Sequence, residues 1–281
     1  MKPAPFDYAA PATLDELLDL LADAGDDAAV IAGGQSLVPL LNLRLARPEL
    51  VVDPRRVPGL AEVAVDEAGV TVGAMTRAAD LEAHPAVGRV PGLAACLAHV
   101  GHSQIRARTT IGGSVAHADP AAELPALLAA LDGTVTLTSR ERGTREVAAA
   151  DFFVGPLMTG REPDELVTAV RFPAVPEPLA IVEVATRPGD FALVAAIAGA
   201  AVDADQIVGA RIVVFGVAGT PLRLGEAENL LVGSAPTEES WRRAGDSIRE
   251  HLDAHGDAHA SAEYRTELAA VLVERALGAP I

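Results

Sequence analysis

Two pairs of adjacent glycines, each beside hydroxyl or amide side chains, are the residues here whose types and spacing best suit chemistry. The first pair lies in Ala32-Gly33-Gly34-Gln35-Ser36-Leu37, after the apolar run Ala28 to Ile31. The second lies in Thr110-Ile111-Gly112-Gly113-Ser114 and continues through Val115-Ala116-His117-Ala118-Asp119-Pro120. A loop lacking Cβ atoms lets the main chain come close to a ligand and aim its N–H groups at an anion. One Gly-Gly alone reads as an ordinary turn. Two of them, each following an apolar segment, read as two lips of one site for a phosphate-bearing cofactor, and a dinucleotide diphosphate suits both. Neither a Gly-x-Gly-x-x-Gly fingerprint after the first strand nor a Walker motif occurs, which disfavours a doubly wound nicotinamide domain.

The elements that must position these segments follow from patterning. Thr13 reads as an N-cap, with Asp15 and Glu16 in the first turn and Leu14, Leu17, Leu18 and Leu21 as an apolar stripe that Gly25 ends. Ala28 to Ile31 is a short buried strand, Leu37 to Leu45 an apolar run halted by Pro48, and Val51 to Asp53 another strand. Val63 to Val65 and Val70 to Val72 form a hairpin. Asp80 to Ala83 and Gly92 to His99 are helical. Past the second glycine pair, Glu123 to Leu131 is a helix, and Thr134 to Thr138, Arg145 to Val147 and Glu165 to Phe172 are strands. Pro173, Pro176 and Pro178 mark a linker. Ala180 to Ala185, Ala192 to Val202 and Ala210 to Val217 are strand-like, and Pro236 to Leu277 is mostly helical. The fold class is therefore α+β, with strands and helices alternating in the first part and strands preceding helices in the last.

Composition narrows the function. With 281 residues and 50% apolar content, a sizeable core is available, but aromatics are only 3%, so aliphatic packing must stabilise it. The net charge of −17 disfavours nucleic acid as a partner. Lys2 is the only lysine, so an anionic cofactor has to be held by backbone dipoles or a few arginines. The single cysteine, Cys96, cannot form a disulfide within the chain or ligate an iron–sulfur cluster, and it sits in an apolar run as a core residue would. No signal-peptide pattern and no long uninterrupted apolar stretch is present, and a cytoplasmic protein without a membrane span is expected.

From end to end the chain resembles the FAD-binding subunit of the molybdenum hydroxylases, including the medium subunit of aerobic carbon monoxide dehydrogenase and the flavin segment of xanthine dehydrogenase. The likeness is carried by Ala32 to Leu37 with Leu40-Leu41-Asn42-Leu43-Arg44-Leu45, by Gln104-Ile105-Arg106, and by Thr110 to Pro120 with Glu123. Asp151-Phe152-Phe153, Asp164 to Val167 before Phe172-Pro173, Asp190-Phe191-Ala192, Tyr264-Arg265 and Arg275-Ala276-Leu277 complete it in order. The resemblance implies a two-subdomain FAD-binding fold of the PCMH type over residues 1–175, divided at about residue 57. A C-terminal sheet-plus-helices domain over 176–281 follows. It implies that Ala32, Gly33, Gly34, Gln35, Ser36 and Leu37, together with Thr110, Ile111, Gly112, Gly113 and Ser114, clasp the FAD diphosphate through backbone N–H groups. It places His117, Asp119 and Glu123 at ribityl and ribose hydroxyls, where a carboxylate suits a hydroxyl donor. Without the likeness, Asp119 reads equally as a turn residue before Pro120. Val100, Val167 and Phe191 fall near the flavin ring, although their types fit plain core as well.

The resemblance further implies an iron–sulfur small subunit and a molybdopterin large subunit as partners, in a dimer of heterotrimers. This chain would take electrons from the clusters and pass them to an external acceptor. A stand-alone FAD-dependent oxidoreductase acting on its own small substrate is the alternative, and a flavin-binding scaffold without redox work a weaker one. Two positions depart from the pattern. Glu183 stands where relatives often carry lysine near the ring, and a negative charge there would disfavour the anionic reduced flavin. Phe191 replaces a tyrosine and removes a hydroxyl. His251, His255 and His259 have helical metal-ligand spacing, but Gly256 and nearby aspartates suggest a solvated segment. His99 and His102 precede the second glycine pair, where a surface or capping role suits them.

Overall fold

The computed structural model describes residues 2–279. Its first unit is a small parallel sheet with helices. It runs β1 (Asp7–Ala9), α1 (Leu14–Ala24), β2 (Ala28–Val30), α2 (Leu37–Leu43) and β3 (Leu50–Val52), with strand order β1-β3-β2. α1 starts at a reciprocal cap. The Thr13 hydroxyl accepts the Glu16 N–H, and the Glu16 carboxylate accepts the Thr13 N–H. Leu17, Leu18 and Leu21 form its buried stripe, packed with Val52, Val57, Leu60 and Leu166. β1, with the exposed Tyr8, carried no strand signal in the sequence. It forms because parallel pairing with β3 satisfies its backbone. α2 tolerates Pro39 because the proline sits in the first turn, where a helix has no use for that N–H.

The second unit comprises β4 (Val63–Asp66), β5 (Gly69–Gly73), α3 (Ala78–Glu82), α4 (Leu93–His99), α5 (Ser103–Arg106), α6 (Ile111–His117) and α7 (Glu123–Ala130). It continues with β6 (Thr134–Ser139), β7 (Gly143–Ala148), α8 (Ala149–Phe152), β8 (Phe153–Gly155), β9 (Met158–Thr159) and β10 (Leu166–Pro173). Its antiparallel sheet has the order β4-β5-β10-β6-β7. Alternation sets its faces: Val135 and Leu137 of β6, Val170 and Phe172 of β10, and Val70 and Val72 of β5 all enter one core with α4 and α7.

The third unit holds β11 (Ala180–Ala185), β12 (Ala192–Asp203), β13 (Gln206–Phe215), β14 (Leu222–Arg223), α9 (Gly225–Leu231), α10 (Glu238–His251) and α11 (Ala262–Leu277). Its antiparallel sheet, β11-β12-β13-β14, is apolar on both faces. One face sends Ala195, Ile197, Val213 and Phe215 into the core shared with α4 and α7. The other sends Val194, Ala196, Ile212 and Val214 against α9, α10 and α11. Small alanines on β12 permit this close two-sided packing, as the scarcity of aromatics required. β13 begins at Gln206, ahead of the expected Ala210, because Asp203 pairs with Gln206 across a two-residue turn. Among the described residues no helix is long and apolar enough to cross a membrane.

Candidate cofactor site

A cavity of about 550 Å³ opens where all three units meet. Its wall includes Ala32, Gly33, Gly34, Gln35, Ser36 and Leu37 from the segment joining β2 to α2. Opposite stand Thr110, Gly112, Gly113, Ser114 and His117 of α6 and its cap, with Asp119 and Glu123 beyond. Val100, Val167 and Phe191 also line it. Of the residues expected here, Ile111 alone is elsewhere. It is fully buried in the core beneath α6, one position along the helix from the cavity face. Sequence reasoning missed Gly101, Ile105, Arg161, Glu165 and Gly189, which the wall also contains. They come from loops and short elements with no periodic signal, although Ile105 and Glu165 lie inside segments that carried the resemblance.

The two glycine pairs do different work, contrary to the expectation of two equivalent loops. The second is the first turn of a helix, not a loop. The Thr110 hydroxyl caps α6 by accepting the Gly113 N–H at 3.2 Å. The Ile111 N–H is taken by the Thr76 carbonyl, that of Gly112 by Ala74 and that of Ser114 by Thr110. These donors are spent on the protein. Thr110 to Ser114 therefore do not offer the row of free N–H groups anticipated for them. Their glycines serve proximity instead. A Cβ on Gly112 would collide with Ala74, and one on Gly113 would lie 2.6 Å from the Thr110 hydroxyl and 3.3 Å from the Ala32 Cβ.

The first segment leaves its donors unspent. Among the described residues, no protein acceptor takes the N–H groups of residues 32–36, while the Gln35 amide braces the turn by donating to the Gly33 carbonyl at 3.1 Å. Gly33 sits flush against the main chain of Arg108 and Thr109, leaving no room for a side chain. The two glycine segments are thus pressed together, one supplying donors and the other a wall. The carboxylates of Asp119, Glu123, Glu165 and Asp190 and the single arginine Arg161 line the same cavity. Arg161 already donates to the Glu162, Pro163 and Glu165 carbonyls. An anion here would meet neutral N–H and hydroxyl groups, with Arg161 already engaged by carbonyls.

Electrostatics at the far end are unusual. Glu123 is buried, and its pKa is pushed up to about 7, first by burial and then by the charges of Glu183 and Asp119. Glu183, on β11, is also raised to about 7 by burial. Glu183 is not part of the cavity wall, and desolvation shifts it toward its neutral form. The His99 ring lies beside it, with its Nδ1 3.7 Å from the Glu183 Oε2. His99 is partly exposed in the last turn of α4, with the buried Glu183 side chain on its inner side, and partial burial lowers its own pKa. His102 precedes α5 without capping it through its side chain. Of the spaced histidines, only His251 lies on α10, where its ring meets the Ser247 carbonyl. Among the described residues no group of three or more side chains could hold a metal.

Known proteins decide the family. Residues 4–175 match the model of the FAD binding domain in molybdopterin dehydrogenase. Residues 180–279 match the CO dehydrogenase flavoprotein C-terminal domain. The chain belongs to the FAD-binding medium subunits of the molybdenum hydroxylases. This medium subunit is 41% identical to the 6-hydroxypseudooxynicotine dehydrogenase complex subunit alpha of Paenarthrobacter nicotinovorans, over 99% of its own length and 95% of the relative's. It is 35% identical to the carbon monoxide dehydrogenase medium chain of Hydrogenophaga pseudoflava, over 99% of itself and 98% of that chain. Its structure is similar to a chain of quinoline 2-oxidoreductase from Pseudomonas putida 86, with a TM-score of 0.94, 39% identity and coverage of 99% and 97%. FAD is accordingly the cofactor, and the medium subunit is part of a multi-subunit oxidoreductase.

Proposed function

We propose that this medium subunit carries electrons between an iron–sulfur small subunit and an external acceptor, in a complex whose molybdopterin subunit oxidises the substrate. The observation carrying this reading is the cavity itself: an uncharged donor cradle at one end, and at the other an apolar mouth where Phe191 is 66% exposed and Ile105 36%. A half-covered apolar rim is what a docked partner would cover. FAD supplies exchange between two-electron and one-electron carriers when bound. The chain contributes binding, orientation and exclusion of water, with no residue assigned to substrate chemistry.

Within the site, the N–H groups of residues 32–36 hold the diphosphate, reinforced by the Ser114 hydroxyl from the facing helix. Thr110, Gly112 and Gly113 shape that wall, and Ile111 anchors it from the core. His117, Asp119 and Glu123 meet sugar and ribityl hydroxyls. Val100, Val167 and Phe191 enclose the ring. Dinucleotide-length binding across three units explains why the cavity needs all of them. The reading is tested by rapid mixing of the intact complex with its reducing substrate. Cluster bleaching and flavin bleaching should follow one another, and the isolated flavin subunit should not be reduced by that substrate. Direct reduction of the isolated subunit would favour a stand-alone oxidoreductase instead.

A further inference from the structure

Glu183 is the buried carboxyl that the functional reading leaves unused. Its side chain is 5% exposed, and its Oε2 has no hydrogen-bond partner. Such an orphan is costly and calls for a reason. The strand pattern dictates where it points. On β11, Val182 and Val184 pack with the α11 side, whereas Ile181 packs into the core shared with α4 and α7. Glu183 alternates with Val182 and Val184, so it faces the core side shared with α4 and α7, like Ala195 opposite it on β12, behind the cavity wall that Glu123 and Val100 form. The groups it meets there are few. α4 contributes His99, at 3.7 Å, and the buried thiol of Cys96. α7 contributes Glu123, itself a cavity wall residue, with Asp119 just before it. β12 faces it with alanine and isoleucine, and no arginine lies within ion-pair distance. His99 is followed by Val100 and Gly101, both in the cavity wall.

We propose that Glu183, in contact with His99 and coupled to Glu123, is a proton-holding residue that takes up a proton when negative charge is added to the flavin end of the cavity and releases it when that charge leaves. The reasoning is electrostatic. A buried carboxyl with no fixed cation beside it responds strongly to any new charge nearby. Adding electrons to a bound flavin adds negative charge, and a proton taken from solvent to the carboxylate oxygen offsets it. No bond to the cofactor is formed or broken. Burial already places both carboxyls near neutrality, so such an uptake falls within the working pH range. Glu183 acts through charge and is a positioning residue. The proposal rests on the flavin end of FAD lying beside Val100 and Phe191.

The test is a mediator-based redox titration of FAD in the purified complex, repeated at pH steps from acid to alkaline. The wild-type midpoint potential should bend against pH near neutrality, beyond the slope that flavin protonation itself gives. Glu183→Gln keeps the shape and removes the titration, so its bend should vanish while FAD content is retained. His99→Gln should shift the bend. In the wild type, a redox-difference infrared spectrum should show a carboxylic acid band growing on reduction. An unchanged bend in E183Q, or no such band in the wild type, overturns the proposal. Mediators replace the cluster subunit in this experiment, so a failure of the electron-transfer reading would show in the substrate-mixing experiment and not here.

Discussion

Gly33 shows how a single missing methyl group decides the site. Its α-carbon abuts the Arg108 carbonyl and the Thr109 backbone, and both neighbours are main chain that cannot rotate aside. Gly33→Ala must displace the cradle, so FAD affinity should fall at least tenfold, or about 1.4 kcal/mol, with secondary structure intact. Equilibrium dialysis of FAD against the complex, with circular dichroism beside it, measures both. The type of residue was legible in the sequence. The difference between Gly33, which frees a loop, and Gly112, which lets a helix touch Ala74, was not, because both are spelled Gly-Gly and only the opposing backbone separates them. Glu183 makes the same point. The sequence reveals a carboxylate, but its burial depends on strand alternation against two helices from another part of the chain.

At the scale of the element, α6 is the informative case. Its helical state hid behind a glycine pair that costs helix propensity, and the signal that outweighs this is Thr110, a β-region N-cap whose hydroxyl meets Gly113. Thr110→Val preserves the branched shape and removes the acceptor. It should cost about 1 kcal/mol of stability, seen as a lower denaturant midpoint, whereas Thr110→Ser should restore most of it. Elements with a strong period were readable: α1 from its leucine stripe and cap, the β4–β5 hairpin from its valines, and β6 from alternation. Those that exist only through a partner were not. β1 pairs with a strand far along the chain, and β8 and β9 are two short runs, one ending at Gly155, the other beginning at Met158. α9 carries a glycine at its first position and buries only Ala227 and Leu231.

For the whole molecule, Arg211 shows how the C-terminal sheet is tied to the rest. From β13 it donates to the Ala130 carbonyl at 2.9 Å and Asp132 at 2.6 Å beyond α7, and to Glu177 at 2.9 Å before β11. Arg223 holds the second oxygen of Asp132 at 2.6 Å. Arg211→Met keeps the apolar stem but leaves the nearly buried Glu177 carboxylate without its cation, so it should cost about 2 kcal/mol. A calorimetric scan should show the main transition moving down and broadening as the C-terminal sheet loosens from the rest. The cofactor cavity has a comparable span, with its walls divided among the first sheet, the second sheet and the loop before β12. Among the described residues, no protein acceptor takes its row of N–H groups at residues 32–36, which are donors a phosphate would satisfy. FAD seated there would be a folding ligand as well as a redox group. It would touch all three units at once, and by mass action every increment in its free concentration would deepen the native well. A cell short of flavin would then hold this subunit in a looser form before any partner is met, and vitamin supply would gate its assembly.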